Sequence, residues 1–95
     1  MHLNQDSLAN KALKTKKIFS TTEGSVISIK MLVGAEMKEH LTKTPAMLFG
    51  IIGEVIFENE KGIKETIGPG DYVEIEANVK HWLLAITDCN LILIK

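Results

Sequence analysis

Arginine is absent from this 95-residue chain: all eleven cationic side chains are lysine. The planar fork that pairs bidentately with phosphate or guanine is therefore missing. A formal net charge of −1 supplies no basic field in its place, so nucleic acid is not an expected partner. The one cationic cluster, Lys14, Lys16 and Lys17, reads as a solvated strand entrance. Trp82, Tyr72 and Phe49 are too few for a base-stacking platform and read as packing residues. Cysteine is limited to Cys89, which has no partner for an internal disulfide and reads as a small packing residue. Long apolar runs are lacking as well. The longest, 46–53 and 82–86, fall far short of the roughly 20 residues that cross a bilayer as a helix. With no cationic start leading into an apolar stretch, the expected compartment is the cytoplasm and no membrane span is expected.

Hydrophobic residues make up 45% of the chain and charged residues 24%, a balance that builds a core. At this length one domain is expected, near the lower limit for folding alone, and association of two copies would add burial. Residues 1–15 read as an N-terminal arm, with Asp6 or Ser7 capping one or two helical turns up to Leu13. Residues 16–95 read as a single β domain. Ile27, Ile29, Met31 and Val33 alternate with Val26, Ser28, Lys30 and Leu32, a period of two with one wholly apolar face. Further strands are expected at about 36–42, 46–52, 54–58, 63–67, 72–76, 80–86 and 90–94, divided by Gly, Asn, Asp and Pro signals. Asn59-Glu60-Lys61-Gly62 is expected to close a hairpin, and Thr87-Asp88-Cys89-Asn90 to join the last two strands as an antiparallel pair. Strands 46–52, 80–86 and 90–94 are apolar on both faces, which calls for cover on the outside. Homodimerisation is thus expected from the apolar outer faces of Met47, Phe49 and Ile51 and of Trp82, Leu84 and Ile86.

Chemistry concentrates at two histidines. Gly34 is followed after five residues by His40, then Leu41, Thr42, three residues, Ala46, six residues and Gly53. Farther on, Ile67-Gly-Pro-Gly-Asp-Tyr-Val-Glu-Ile leads to His81. Gly68 and Gly70 give a tight turn its freedom, Pro69 fixes a φ, and Asp71 can bond back to the turn amides. This layout resembles the paired histidine motifs of the cupin superfamily over residues 24–95, especially short single-domain cupins carrying a Lys-Glu-His segment such as Lys38-Glu39-His40. The resemblance implies an all-β, cupin-like antiparallel β-barrel, a double-stranded β-helix or jelly roll, preceded by the short arm. It also exposes departures. Thr42 stands where a second histidine is usual, Ala46 where a glutamate is usual, Glu76 and Asn78 where proline and glycine are usual, and Ala85 where asparagine is usual.

His40 and His81 are the candidate metal ligands, with Zn²⁺, Ni²⁺ or Cu²⁺ as the divalent ions that suit imidazole. Two ligands imply weak binding or none. Glu36 is expected on the face of His40 but about 13 Å along the strand, and Glu39 on the opposite face, so neither completes the set. A small-molecule site is expected instead, with His40, Thr42, Ala46, Leu48, Gly50, Val73, Ile75, His81 and Leu83 lining a cavity widened by Ala46 and Gly50. The leading reading is a small-molecule-binding or sensing protein with an incomplete metal site and no assignable reaction. A metal-dependent dioxygenase or isomerase using His40 and His81 is the alternative, and a structural or partner-binding subunit the third. Nucleophilic catalysis lacks support, since Cys89 has no histidine beside it, and the glycines open no helix to cradle a phosphate.

Overall fold

The computed structural model describes residues 12–95, with 61% of them in strands. In chain order these are β1 (Leu13–Ser20), β2 (Ser25–Met31), β3 (Glu36–His40), β4 (Ala46–Ile52), β5 (Val55–Asn59), β6 (Lys64–Ile67), β7 (Tyr72–Ile75), β8 (His81–Ala85) and β9 (Cys89–Ile94). They form a five-stranded sheet in the order β1-β2-β9-β4-β7 and a four-stranded sheet in the order β3-β8-β5-β6. Only the β1–β2 and β5–β6 connections stay within a sheet, and every other connection crosses to the opposite one. Two antiparallel sheets laced together this way make a jelly roll. No helix among the described residues is long and apolar enough to cross a membrane.

Period-two patterning produces the core. Ile29 and Met31 of β2, Leu48 of β4 and Leu91 of β9 face Phe57 of β5 and Leu83 of β8 in one contiguous cluster. Asn59 closes the β5–β6 hairpin as expected: its side-chain oxygen accepts the N–H groups of Lys61 and Ile63. The Gly68–Asp71 turn closes as its residues suggest. Asp71 Oδ2 accepts the Gly68 N–H at 2.9 Å, while the Gly70 N–H donates to the Gly50 carbonyl and the Gly50 N–H to the Asp71 carbonyl, which ties the turn to β4.

Several local expectations are corrected. β8 and β9 do not pair with each other; they lie in different sheets, so residues 86–88 form a crossover rather than a hairpin. Apolar patterning alone carries no information on which sheet a strand joins. The strand expected over 36–42 ends at His40. A register shift between Met37 and His40 sets Met37 opposite Leu83 and His40 opposite His81, which places these two on one face although they are three residues apart. Glu36, opposite Leu84, therefore lies on the other face from His40, because one irregularity reverses strand parity. A second shift between Gly50 and Ile52 puts Ile52, rather than Ile51, in register with Asn90. Leu13 already pairs with Met31 in β1, inside the segment assigned to the arm. The helical turns expected before it lie outside the described residues, save for their last positions.

Candidate site at the mouth of the barrel

His40 ends β3 and His81 begins β8, and antiparallel pairing sets them side by side. Their ring centroids are 4.2 Å apart at an interplanar angle of 59°. His40 is exposed, whereas His81 is only 3% accessible. Behind His81 the Phe57 ring stacks at 5.9 Å. Phe57 had no place in the sequence-based site, since the β5–β8 pairing that delivers it is a long-range contact.

Hydrogen bonding fixes the tautomers. His40 Nδ1 lies 2.9 Å from the Lys38 carbonyl and His81 Nδ1 lies 3.3 Å from the Val79 carbonyl. A carbonyl oxygen can only accept, so each Nδ1 carries a hydrogen, and in the neutral form of either ring Nε2 holds the lone pair. Neither Nε2 has a hydrogen-bond partner among the described residues. Every fully buried side-chain polar atom among them is partnered, so Nε2 of His81 keeps some access to solvent. Burial holds the His81 imidazole below its ordinary pKa of 6.5; the Val79 bond opposes this, and the charge of His40 adds to it. His81 is thus a neutral acceptor at pH 7.

The other expected site residues divide. Thr42 is half-buried in the β3–β4 connection; its hydroxyl donates to the Thr44 carbonyl at 2.7 Å, and its own carbonyl accepts the Asn78 N–H at 2.8 Å. Ala46 and Leu48 pair with Ile75 and Val73 across β4 and β7, and Leu83 pairs with Phe57. All of these side chains are buried in the common cluster. Gly50 has a different reason to be small: a Cβ there would overlap the Gly68 carbonyl oxygen. A cleft of about 360 Å³ lies elsewhere, lined by Lys14, Lys30, Met31, Leu32, Ile52, Asp88, Cys89 and Asn90, none of them an expected site residue. On the rim, Glu39 and Lys80 approach to 4.0 Å beside the two histidines, a solvated pair that contributes little stability.

No family sequence profile and no curated protein matches the chain. Solved structures do. An RmlC-like cupin from Shewanella frigidimarina superposes with a TM-score of 0.81 at 21% identity, over 88% of this chain and 75% of its own. An RmlC-like cupin family protein with a double-stranded β-helix fold, from Methanocaldococcus jannaschii, gives 0.79 at 22% identity, over 90% and 80%. A cupin-2 domain containing protein from Shewanella frigidimarina gives 0.77 at 18% identity, over 100% and 92%.

This is the cupin fold. A cupin barrel implies a metal between the motif strands, and the residues here do not fit one held tightly. No group of three or more histidine, cysteine, aspartate or glutamate side chains comes together among the described residues. The Thr42 hydroxyl is committed to a neighbouring carbonyl, and Ala46 offers no donor atom. In this chain the paired ends of β3 and β8 instead present two imidazoles beside the Phe57 ring. That arrangement can accept hydrogen bonds from a ligand and pack against its apolar part.

Proposed function

We propose that the protein is a small-molecule-binding or sensing cupin whose ligand enters at the mouth and donates hydrogen bonds to Nε2 of His40 and His81. The observation that carries this reading is the matched tautomer pair. Each Nδ1 is held by a backbone carbonyl, so each Nε2 is held ready as an acceptor. Phe57 behind His81 adds an apolar surface, and the tight cluster beneath supports binding at the histidine pair rather than in a deep cavity. A ligand with two adjacent hydroxyl or amide donors on a small apolar frame fits these groups.

The metal-enzyme alternative has less support, because two imidazoles without a carboxylate fall short of the usual catalytic sets. A cytoplasmic setting goes with the favoured reading, supported by one cysteine without a disulfide partner in the chain. The test is a nuclear magnetic resonance screen of small diols, amides and sugars, read at the ring signals of both histidines. Binding members should move both rings, and His81→Phe should abolish the response. If no member moves either ring, the structural-subunit reading takes the lead.

A further inference from the structure

Asn59 is a polar residue whose burial the hairpin explains only in part. It is 8% accessible and stands opposite His81 in the β5–β8 ladder. Val55, Phe57 and Asn59 are the buried residues of β5, and His81, Leu83 and Ala85 those of β8, so both side chains turn to the inner face. Beyond them the Glu60 N–H donates to the Lys80 carbonyl at 2.9 Å. Bonded and unbonded pairs alternate along an antiparallel ladder, which makes Asn59 and His81 an unbonded pair, the kind whose side chains stand closer. His40 flanks His81 from the other side. The three polar residues therefore stand abreast across β3, β8 and β5.

Chemistry fixes the orientation of the Asn59 amide. One of its atoms receives the N–H groups of both Lys61 and Ile63, at 2.9 and 3.1 Å, and only the carbonyl oxygen can accept. The nitrogen has two hydrogens to donate and no partner among the described residues. Since no fully buried side-chain polar atom among them lacks a partner, this nitrogen also keeps some access to solvent. Its place is held from both sides. The Asn59 N–H donates to the Ile63 carbonyl at 3.0 Å, and the Lys80 N–H to Glu60 Oε2 at 2.7 Å. Hairpin closure uses the oxygen alone, a task that aspartate performs as well. The amide nitrogen is left over.

We infer that Asn59 Nδ2 is a third binding group beside the histidine pair and that it sets the ligand class, a compact neutral amide whose N–H and C=O lie side by side. The inference rests on the proposed reading of this place as a small-molecule site. The two imidazole Nε2 atoms accept, and Asn59 Nδ2 donates. An amide answers both, its N–H going to an imidazole and its carbonyl taking a hydrogen from Asn59. An ionised carboxylate only accepts, and leaves the imidazoles without a donor. A diol gives the imidazoles their donors but offers Asn59 a hydroxyl, a weaker acceptor than an amide carbonyl.

The γ-lactam pyrrolidinone and the diol cis-cyclopentanediol, five-membered rings of similar size, test the inference. Both are titrated at about pH 8, which keeps the imidazoles neutral, and read at the ring signals of His40 and His81. Wild type should bind the lactam about tenfold tighter than the diol, the difference made by one well-formed hydrogen bond. Asn59→Asp keeps an oxygen for the Lys61 and Ile63 N–H groups and removes the donor, so its lactam affinity should fall about tenfold while its diol affinity does not fall. Urea unfolding of Asn59→Asp checks that the hairpin survives, and the comparison of the two ligands on wild type stands without any variant. Equal affinity for lactam and diol in wild type, or an unchanged lactam affinity in Asn59→Asp, would overturn the role of Nδ2 and leave the histidine site standing. If neither ring responds to either compound or to any member of the wider screen, the small-molecule reading fails and this inference fails with it.

Discussion

His40 and His81 touch at a ring separation of 4.2 Å, one imidazole in solvent and the other almost sealed beneath it. Their contact makes the mouth sensitive to protons, since both rings cannot charge without mutual repulsion and one must also lose its hydration.

Acid should therefore loosen the fold through His81. Its folded pKa is lowered from 6.5, chiefly by burial. Between the folded and unfolded pKa values the unfolded chain binds more protons, so stability rises with pH in that window. It should be fully present above about pH 6.5 and fall progressively below it. Thermal melts of wild type and His81→Phe between about pH 7.5 and 5 provide the measurement. The variant, whose ring can still stack on Phe57, should show a flatter acid limb. Equal slopes would assign the acid sensitivity to other groups.

Gly50 offers a direct contrast between two explanations of one small residue. If it marked spare volume, Gly50→Ala would be tolerated. The structure puts the Gly68 carbonyl where that Cβ would go, and the strain should cost about 2 kcal/mol or more. Gly70→Ala is the comparison. Its φ of +86° is strained for alanine, but no atom lies within 4 Å of the new Cβ, so a cost of about 1 kcal/mol is expected. Urea midpoints should rank wild type above Gly70→Ala, and Gly70→Ala above Gly50→Ala.

The sequence made some of this legible and hid the rest for a common reason. Alternation in β2, β4 and β9 reveals which residues turn inward, because that period is local. Gly34, His40, Gly68 to Asp71 and His81 mark the turns and motif strands by residue type and spacing. Two features depend on pairing instead. The register shift after Met37 moved Glu36 to the other face, and the crossover at 86–88 put β8 and β9 in separate sheets. Phe57 belongs to the site for the same reason, since only the β5–β8 pairing brings it to His81, whereas the carbonyls of Lys38 and Val79 are local, two residues before each histidine. Gly50 was misread because the atom that forbids a side chain comes from a distant turn.

Cys89 should be chemically quiet. The side chain is packed in the core, and burial raises its thiol pKa, with the charge of Asp88 adding to that and a bond from the Met31 backbone opposing it. The thiolate is the reactive form. Reaction with an aromatic disulfide reagent at pH 8 should be slow in buffer and accelerate sharply through the urea unfolding transition. A fast native reaction would place the thiol at the surface of the neighbouring cleft.

Metal affinity provides the sharpest test of how the first motif is aligned with the fold. Wild type offers two imidazole nitrogens, a threonine hydroxyl already donated to Thr44 and an alanine, so less than one stoichiometric ion should remain after dialysis. Thr42→His with Ala46→Glu places a third imidazole and a carboxylate at the positions where the cupin motif has them, one in the β3–β4 connection and one at the start of β4. Completing a set of three imidazoles and a carboxylate should raise divalent affinity by several orders of magnitude, since two protein ligands leave coordination dependent on water. The glutamate enters a buried place opposite Ile75, so the metal-free double variant should melt below wild type and regain stability when Zn²⁺ is added. Chelator competition and thermal melts read the two effects separately. A double variant that folds but binds no tighter than wild type would show that Thr42 and Ala46 do not point toward the histidine pair. A wild type that retains one tightly held ion per chain would restore the metal-enzyme reading.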